Sequence, residues 1–272
     1  MKLVVFMKQV PAVSELPWDP KTGRLQRQRA SGMMNPACRH ALEAALLIKE
    51  SQGGEIAAIS MGPPSAEEIL REALALGADR AVLLSDPRLS GADTAATSYS
   101  LSLAVREVCP DFDLLLLGSQ TTDSETGQVG PHLAEELDLP SVINVEHLSV
   151  DNRVLRAQRI CDNFLETLET DLPALVTVTT NSHPPRDVTL AGVEYAFSQG
   201  DFEILNAEDL KADLEWVGWA GSAGRITRVY SPETGQKADL IKGAPKKCAL
   251  ELLERYGDRL GGLLQKDLRM QK

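Results

Sequence analysis

The chain has 272 residues, of which 43% are hydrophobic and 25% are charged, so it is long enough for about two average domains or one large α/β unit. With 20 glycines and 15 prolines, this composition excludes collagen-like, low-complexity and disordered proteins. No apolar run approaches the roughly 18 residues of a membrane helix, and the N-terminal apolar run stops at Lys8, too early for a signal peptide. We therefore expect a soluble, cytoplasmic protein.

The formal net charge of -11 disfavours a nucleic-acid binder, because phosphate backbones attract clustered Lys and Arg. The charge is uneven, since residues 225–272 carry +5 and residues 1–224 carry -16. A basic C-terminal region on an acidic body is typical of a segment that docks on another acidic surface. The alternative is an ordinary solvated basic helix.

The sequence contains no recognisable metal or catalytic site. The four cysteines form no Cys-x-x-Cys pair and the four histidines are scattered, so we predict neither a metal cluster nor a disulfide framework. Cys38 follows a predicted helix start, where a buried, inert thiol is more frequent than a reactive one. No nucleophile, base and oxyanion hole come together, so we predict no catalytic residue.

The first half of the chain alternates short apolar runs with helical patterns. We predict strands at residues 3–7, 56–59, 81–84 and 114–117. Helices are predicted from Asn35-Pro36, with Asn as the N-cap, from a capping box formed by Ser65 and Glu68, and from Asp93-Thr94 to about residue 108. This alternation predicts a doubly wound, mostly parallel sheet of the Rossmann-like, nucleotide-binding α/β class. Ligands of such sheets bind at the carboxyl ends of the strands.

The second half has a different pattern. Residues 142–149 and 154–160 predict a hairpin, and residues 174–179 predict a further strand, all extending the same sheet. Residues 181–199 indicate no strand, and a short helical piece is predicted at residues 207–211. Gly218, Gly221 and Gly224 favour a turn-rich linker, and a last helix is predicted at residues 246–256, closed by Gly257.

The segment from Gly118 to Pro131 is the most informative part of the sequence. It joins a buried strand to a helix predicted at residues 133–137, and it is rich in small and hydroxyl residues with three glycines. Such a loop lets backbone amides approach a phosphate at a helix N-terminus. An ordinary polar loop is the alternative, because the glycine spacing matches neither the P-loop nor the dinucleotide fingerprint.

Several longer motifs together resemble the β subunit of electron transfer flavoproteins, over nearly the whole chain. The motifs are residues 4–11, Asn35-Pro36 with its helix, residues 61–64, residues 72–80 and residues 118–131, in this order. The resemblance implies a non-hydrolytic subunit that pairs with an α subunit carrying FAD. It also implies a bound nucleotide, either AMP or a second FAD.

The resemblance implies which residues contact this nucleotide, and the loop analysis selects the same segment from Gly118 to Pro131. They follow the strand ends or begin the helices of the predicted sheet, and they are Phe6, Asn35, Pro36, Ala37, Cys38, Met61, Asp93, Thr94, Gly118, Gln120, Thr122, Asp123, Thr126, Gly127, Gln128, Val129, Gly130 and Pro131. Phe6 stands where the family has a small residue beside the adenosine, which predicts a narrower pocket.

The choice between AMP and FAD determines the function that the resemblance implies. Residues 91–98, 126–131 and an arm from Val217 through Ser231-Pro232 resemble the electron-bifurcating branch of the family. In that branch the β-bound FAD accepts a hydride from NADH and divides the electron pair. One electron goes to ferredoxin or flavodoxin, and the other passes through the α-bound FAD to an acyl-CoA or lactate-type dehydrogenase. The alternatives are a non-bifurcating subunit with structural AMP and a universal-stress-like adenine nucleotide sensor.

The resemblance also implies two contact regions for partners. A loop at about residues 183–200 would dock the dehydrogenase, with Arg186 and Leu190 as its contacts, although Pro185-Arg186-Asp187 departs from the family's Pro-Arg-Tyr. We therefore predict a nucleotide-binding domain over residues 1–215, with a strand extension at about 141–180. Residues 216–272 are predicted to form an arm and helix that contact the α subunit.

Overall fold

A computed structural model describes residues 1–12, 18–19, 24–25, 32–224 and 240–270. The chain divides into two compact units, residues 1–225 and residues 226–272. The role of residues 216–272 as a partner-binding arm stays a prediction, and its Ser231-Pro232 portion lies outside the described residues.

The first unit alternates strands and helices along most of its length. Its first half consists of β1 (Lys2–Met7), β2 (Gln9–Pro11), β3 (Trp18–Asp19), β4 (Arg24–Leu25), β5 (Gly32–Met34), α1 (Pro36–Gln52), β6 (Glu55–Met61), α2 (Glu67–Leu76), β7 (Arg80–Leu84), α3 (Thr94–Val108), β8 (Leu114–Gly118) and α4 (Val129–Glu136). Its second half consists of β9 (Ser141–Asp151), β10 (Val154–Cys161), β11 (Phe164–Asp171), β12 (Ala174–Val178), α5 (Leu190–Ser198), β13 (Asp201–Leu205) and α6 (Gly218–Gly221). The second unit contains α7 (Pro245–Met270).

A nine-stranded sheet organises the first unit, in the order β11-β10-β9-β12-β8-β1-β6-β7-β13. Every neighbouring pair from β9 to β13 in that order is parallel, whereas β10 pairs antiparallel with both β9 and β11. This arrangement confirms the predicted mostly parallel, doubly wound α/β fold, and β9, β10 and β12 belong to the same sheet.

The core consists of two layers, one on each face of the sheet. Alternate residues of β1 enter opposite layers: Leu3 and Val5 pack with α1 and α2, and Val4 and Phe6 pack with α3 and α4. The central strands β1, β7, β8 and β12 are covered on both faces, which explains their continuous apolar runs. Each fully buried aliphatic side chain contributes roughly 1.5–3 kcal/mol to the transfer free energy of folding.

Helix starts differ in two places from the sequence prediction. The predicted capping box of Ser65 and Glu68 does not form. A 3₁₀ turn (Pro64–Ala66) precedes α2, and the Ser65 hydroxyl instead donates to Gln9 Oε1 at 2.9 Å. The proline at position 64 fits the first position of that turn, which moves the start of α2 to Glu67. Helix α4 begins at Val129, four residues before its predicted start.

Strand β11, helix α5 and strand β13 are absent from the sequence prediction. Both strands lie at edges of the sheet, and β11 carries Glu and Thr between its apolar residues, so it lacks the apolar run of a central strand. Residues 207–211 form turns and no helix, so that prediction is wrong. Residues 218–221 are helical, although a linker was predicted. Helix α7 continues through Gly257, because one glycine costs a helix only about 1 kcal/mol.

Among the described residues, no helix is both long and apolar enough to span a bilayer.

Candidate nucleotide-binding site

The predicted contact residues gather at the carboxyl edge of the central strands. Strands β1, β6 and β8 are parallel neighbours that end at Met7, Met61 and Gly118. Helices α1, α3 and α4 begin in the connections that follow the sheet's strands, so their N-terminal amides lie at this edge. An edge of this kind is where doubly wound sheets bind ligands.

The Asn35 side chain joins the connection after β1 to the loop after β8. Its Nδ2 donates to the carbonyl of Gln120 at 2.9 Å, and its Oδ1 accepts from the Thr122 amide at 3.2 Å. Its backbone amide donates to the carbonyl of Lys8 at 2.9 Å. Asn35 is the N-cap residue of α1, as predicted, but its side chain makes no cap hydrogen bond because it is engaged with the loop.

Gly118 allows helix α1 to pack directly on the end of β8. A β-carbon at this position would lie 2.7 Å from the carbonyl carbon of Ala37 and from the amide nitrogen of Cys38. Burial raises the pKa of the Cys38 thiol, and the hydrogen bond from Asn35 at 3.4 Å does not offset this effect. Cys38 is therefore a neutral packing residue, in line with the prediction from sequence.

The β8–α4 loop, residues 119–128, presents an exposed surface from Thr122 to Gln128. A hydrogen bond of 2.9 Å between the hydroxyls of Thr121 and Ser124 closes its first turn, and Gly127 has a φ of 63°. Gly130 places α4 against β12, because a β-carbon there would lie 2.4 Å from Thr177 Cγ2. The loop thus delivers the start of α4 to the sheet edge, where the amides of Val129 and Gly130 suit an anionic ligand. Pro131 has no N–H, and the His132 amide donates to the carbonyl of Gln128 at 3.1 Å.

Lys8 and Asp123 form an ion pair between the end of β1 and this loop, with the Lys8 ammonium 2.8 Å from Asp123. Burial raises the pKa of Asp123, but the hydrogen bond and charge of Lys8 outweigh this effect and hold the pKa below its usual value. Sequence analysis did not select Lys8 as a site residue, although it is the first charged residue after the apolar β1 strand. The two charges offset each other, so the pair joins the end of β1 to the loop and adds no net positive charge at this edge.

The start of α3 is hydrogen-bonded to the same loop. Asp93 caps α3 by accepting from the Ala96 amide at 3.0 Å, and the Thr94 hydroxyl lies 3.1 Å from Gln128 Oε1. One turn later, the Ser98 hydroxyl lies 3.0 Å from the carbonyl of Val129. The predicted contacts on α3 and those on the loop therefore form one connected group.

The remaining predicted contacts lie in the wall of this edge. Phe6 is 4% exposed and packs in the layer of α3 and α4, and Met61 packs against the same layer. Ser60, which sequence analysis missed, is buried, and its hydroxyl has no hydrogen-bond partner among the described residues. Its small polar side chain lies within an apolar strand, and no sequence pattern distinguishes it from a packing residue.

Arg186 and Leu190 do not join the nucleotide group. The Arg186 guanidinium, on the connection after β12, binds Glu43 and Glu50 of α1. Leu190 is the first residue of α5 and is 87% exposed. Among the described residues, no group of three or more His, Cys, Asp or Glu side chains is arranged to hold a metal ion.

Comparison with known proteins identifies the family. Residues 22–207 match the family model described as the electron transfer flavoprotein domain. The β subunit of Thermoanaerobacterium thermosaccharolyticum electron transfer flavoprotein is 37% identical over 259 residues, which cover 95% of this chain and 99% of the relative. The chain belongs to the electron transfer flavoprotein β-subunit family.

Two further relatives of this flavoprotein subunit carry other names. The Caffeyl-CoA reductase-Etf complex subunit CarD of Acetobacterium woodii is 38% identical over 89% of this chain and 92% of its own length. Protein FixA of Azorhizobium caulinodans is 36% identical over 89% of this chain and 88% of its own length. The similarity therefore extends over nearly the full length of differently named members of the family.

Proposed function

We propose that this chain is the β subunit of a heterodimeric electron transfer flavoprotein that binds FAD at the carboxyl edge of its sheet. In this proposal it takes part in electron bifurcation from NADH to ferredoxin or flavodoxin and, through the α-subunit FAD, to a partner dehydrogenase. The observation that carries the proposal is the convergence of Asn35, the β8–α4 loop and the α3 N-terminus at one edge. Family membership and the CarD relative support it.

The residues at this edge fit an adenine dinucleotide. The amides at the start of α4 suit a pyrophosphate. The buried Ser60 hydroxyl without a partner suits a polar group of the ligand. When bound, FAD supplies one- and two-electron redox chemistry that no side chain of this site provides.

Each element of the site has a separate task in this proposal. The α4 amides bind the phosphates, while Asn35 and the Lys8–Asp123 ion pair fix the loop that carries them. Phe6 keeps water from the inner wall, because it fills the space between β1 and the α3 and α4 layer. Cys38 stays protonated, which keeps a nucleophilic thiolate away from the cofactor.

The partner assignment follows from the connection after β12 and from one relative. The name of CarD associates that protein with a caffeyl-CoA reductase complex, which favours an acyl-CoA-type flavin dehydrogenase as the partner of this chain. Leu190 at the start of α5 is the proposed anchor, because its side chain is exposed on a connection that Arg186 attaches to α1. Full burial of an exposed leucine side chain by a partner contributes roughly 1.5–3 kcal/mol of transfer free energy.

Nucleotide analysis of the heterodimer tests the proposal. The chain is co-expressed with its α subunit, and the purified complex is denatured so that released nucleotides are quantified by chromatography. Two FAD per heterodimer are expected. One FAD and one AMP would overturn bifurcation and leave a nucleotide-stabilised scaffold, and a stable monomer without flavin would favour a nucleotide sensor.

A further inference from the structure

Residues 217–224 dock on the connection that precedes α3. Val217 is 1% exposed and packs in the layer of α3 and α4, and the Trp219 amide donates to the carbonyl of Ser90 at 2.9 Å. Gly218, with a φ of 56°, approaches so closely that a β-carbon would lie 1.9 Å from the Arg88 carbonyl oxygen. This segment is therefore part of the wall beside the α3 N-terminus.

Ser222 and Asp93 hold the segment by reciprocal hydrogen bonds, an arrangement we call the Ser222–Asp93 clasp. The Ser222 hydroxyl accepts from the Asp93 amide at 2.8 Å and donates to the carbonyl of Gly218 at 2.8 Å. In return, Asp93 Oδ2 accepts from the Gly224 amide at 2.8 Å. Ser222 is 5% exposed, so loss of its hydroxyl leaves the Asp93 amide without its acceptor in a partly buried place.

A single residue, Thr94, connects the clasp to the β8–α4 loop. Asp93 caps α3 through Oδ1, and the next residue, Thr94, contacts Gln128 of the β8–α4 loop. Ser98, one turn further along α3, contacts the carbonyl of Val129. A displacement of the Asp93 backbone therefore moves the polar groups that line the proposed nucleotide site.

We propose that Ser222 is a positioning residue of the nucleotide site, and that nucleotide binding and docking of residues 217–224 stabilise each other. This inference rests on the proposed nucleotide-binding function. Coupling of this kind is reciprocal: a bound nucleotide shifts the docking equilibrium of the segment towards the docked state, and release of the segment weakens nucleotide binding by the same factor. Ser222 thus acts on the ligand through Asp93 and Thr94.

The test compares Ser222→Ala with Ser102→Ala in the full chain, purified with its α subunit and freed of bound nucleotide. Ser102 is a suitable control because it is also buried, and its hydroxyl donates to the carbonyl of Tyr99 within α3, away from the clasp. AMP is the probe. Its dissociation constant is measured by equilibrium dialysis, and hydrogen exchange of the peptide spanning residues 217–224 is followed by mass spectrometry.

We expect AMP to slow exchange of this peptide in the unsubstituted protein and in Ser102→Ala, and to have no such effect in Ser222→Ala. AMP should bind Ser222→Ala about 5- to 150-fold more weakly, the range of typical coupling between sites. Asp93→Asn is the second variant. It keeps the cap acceptor for Ala96, but an amide nitrogen replaces the acceptor for Gly224, so it should also release the segment.

The possible failures are distinguishable. Two results would overturn the coupling and leave the proposed function standing. In the first, AMP binds the unsubstituted protein but does not change the protection of residues 217–224. In the second, Ser222→Ala and Asp93→Asn bind AMP as tightly as Ser102→Ala. If the unsubstituted protein binds neither AMP nor FAD, the proposed function itself is overturned. Should Ser222→Ala fail to fold by circular dichroism, exchange of residues 217–224 with and without AMP in the unsubstituted protein decides.

Discussion

Glu43 of α1 and Arg186 of the β12–α5 connection form a bidentate ion pair that attaches this connection to the first helix. Arg186 Nη2 lies 2.9 Å from Glu43 Oε1, and Arg186 Nε lies 2.9 Å from Glu43 Oε2. The Arg186 amide also donates to Glu43 Oε2 at 3.0 Å. The helix that bears Asn35 at its N-cap therefore also holds the connection that leads to Leu190.

Glu43→Ala should lower the free energy of unfolding by about 2–3 kcal/mol. Breaking a fully buried pair costs about 3–5 kcal/mol, and the effect is smaller here because the Arg186 side chain is 34% exposed to screening water. Glu50→Ala is the control, since Glu50 binds the same guanidinium from an exposed position and should cost less than about 1 kcal/mol. Urea unfolding measures the free energy of unfolding of both variants. Equal losses in Glu43→Ala and Glu50→Ala would contradict the larger contribution assigned to the buried Glu43–Arg186 pair.

The contribution of Glu43 should also depend on pH. Burial raises its pKa, but the hydrogen bonds and charge of Arg186 outweigh burial and lower the pKa below its usual value. A lowered folded-state pKa gives stability that is present above the unfolded-state value of about 4.3 and is lost as pH falls through the folded-state value. The stability difference between the unsubstituted protein and Glu43→Gln should therefore shrink below about pH 4. A difference that is constant from pH 7 to pH 3 would refute this explanation.

Gly127→Val should abolish nucleotide retention and leave the far-UV circular dichroism nearly unchanged. The substitution puts a branched side chain at a φ of 63° in the exposed loop that carries the α4 amides. Gly53→Val is the control, because Gly53 has a φ of 70° and open space around it, outside the site. Each substitution should cost about 1–3 kcal/mol of stability, because a branched side chain is strained at a positive φ, and Gly53 has a ψ of 172° that is essentially restricted to glycine. Only Gly127→Val should release nucleotide. Retention at the unsubstituted level would remove the site assignment.

Gly118→Ala should destabilise the protein by about 1–3 kcal/mol and weaken nucleotide binding. Its β-carbon meets backbone atoms of Ala37 and Cys38, which have no flexible end that moves aside, so α1 must shift from β8. Gly257→Ala is the matched control in α7, where nothing lies within 4 Å of the added carbon and alanine favours the helix by about 0.5–1 kcal/mol. Thermal unfolding measures the stability of both variants, and chromatography of the released nucleotide measures their nucleotide content. A stable, nucleotide-replete Gly118→Ala protein would show that the close contact of α1 with β8 is not required.

Leu190→Ala should slow electron delivery to the partner dehydrogenase without changing flavin content. The side chain is 87% exposed, so its removal should alter stability by less than about 0.5 kcal/mol. Because truncation removes apolar surface that the dehydrogenase would bury, the KM for the dehydrogenase should rise about tenfold. Leu214→Ala, which truncates another exposed leucine outside α5, should leave that KM unchanged. An unaffected KM in Leu190→Ala would place the docking surface elsewhere.

Much of the central sheet follows from local sequence patterns. Continuous apolar runs such as Leu114–Leu117 fit strands covered on both faces, and Asn35-Pro36 and Asp93 mark helix starts that the structure confirms. These features depend on neighbouring residues only, which is why one sequence suffices to predict them. The edge strands β11 and β13 escaped prediction because their polar residues obscure the apolar pattern, and pairing with β10 and β7 determines their conformation.

The sequence by itself determined the α/β class, the parallel core strands and the loop that carries the proposed phosphate contacts. Only the tertiary structure decided which distant side chains meet, such as Lys8 with Asp123, Glu43 with Arg186 and Ser222 with Asp93. The physical reason is that strand and helix patterns arise from local backbone and burial preferences. A hydrogen bond between residues more than a hundred positions apart depends on the sheet order and the chain crossings, and no local pattern encodes these.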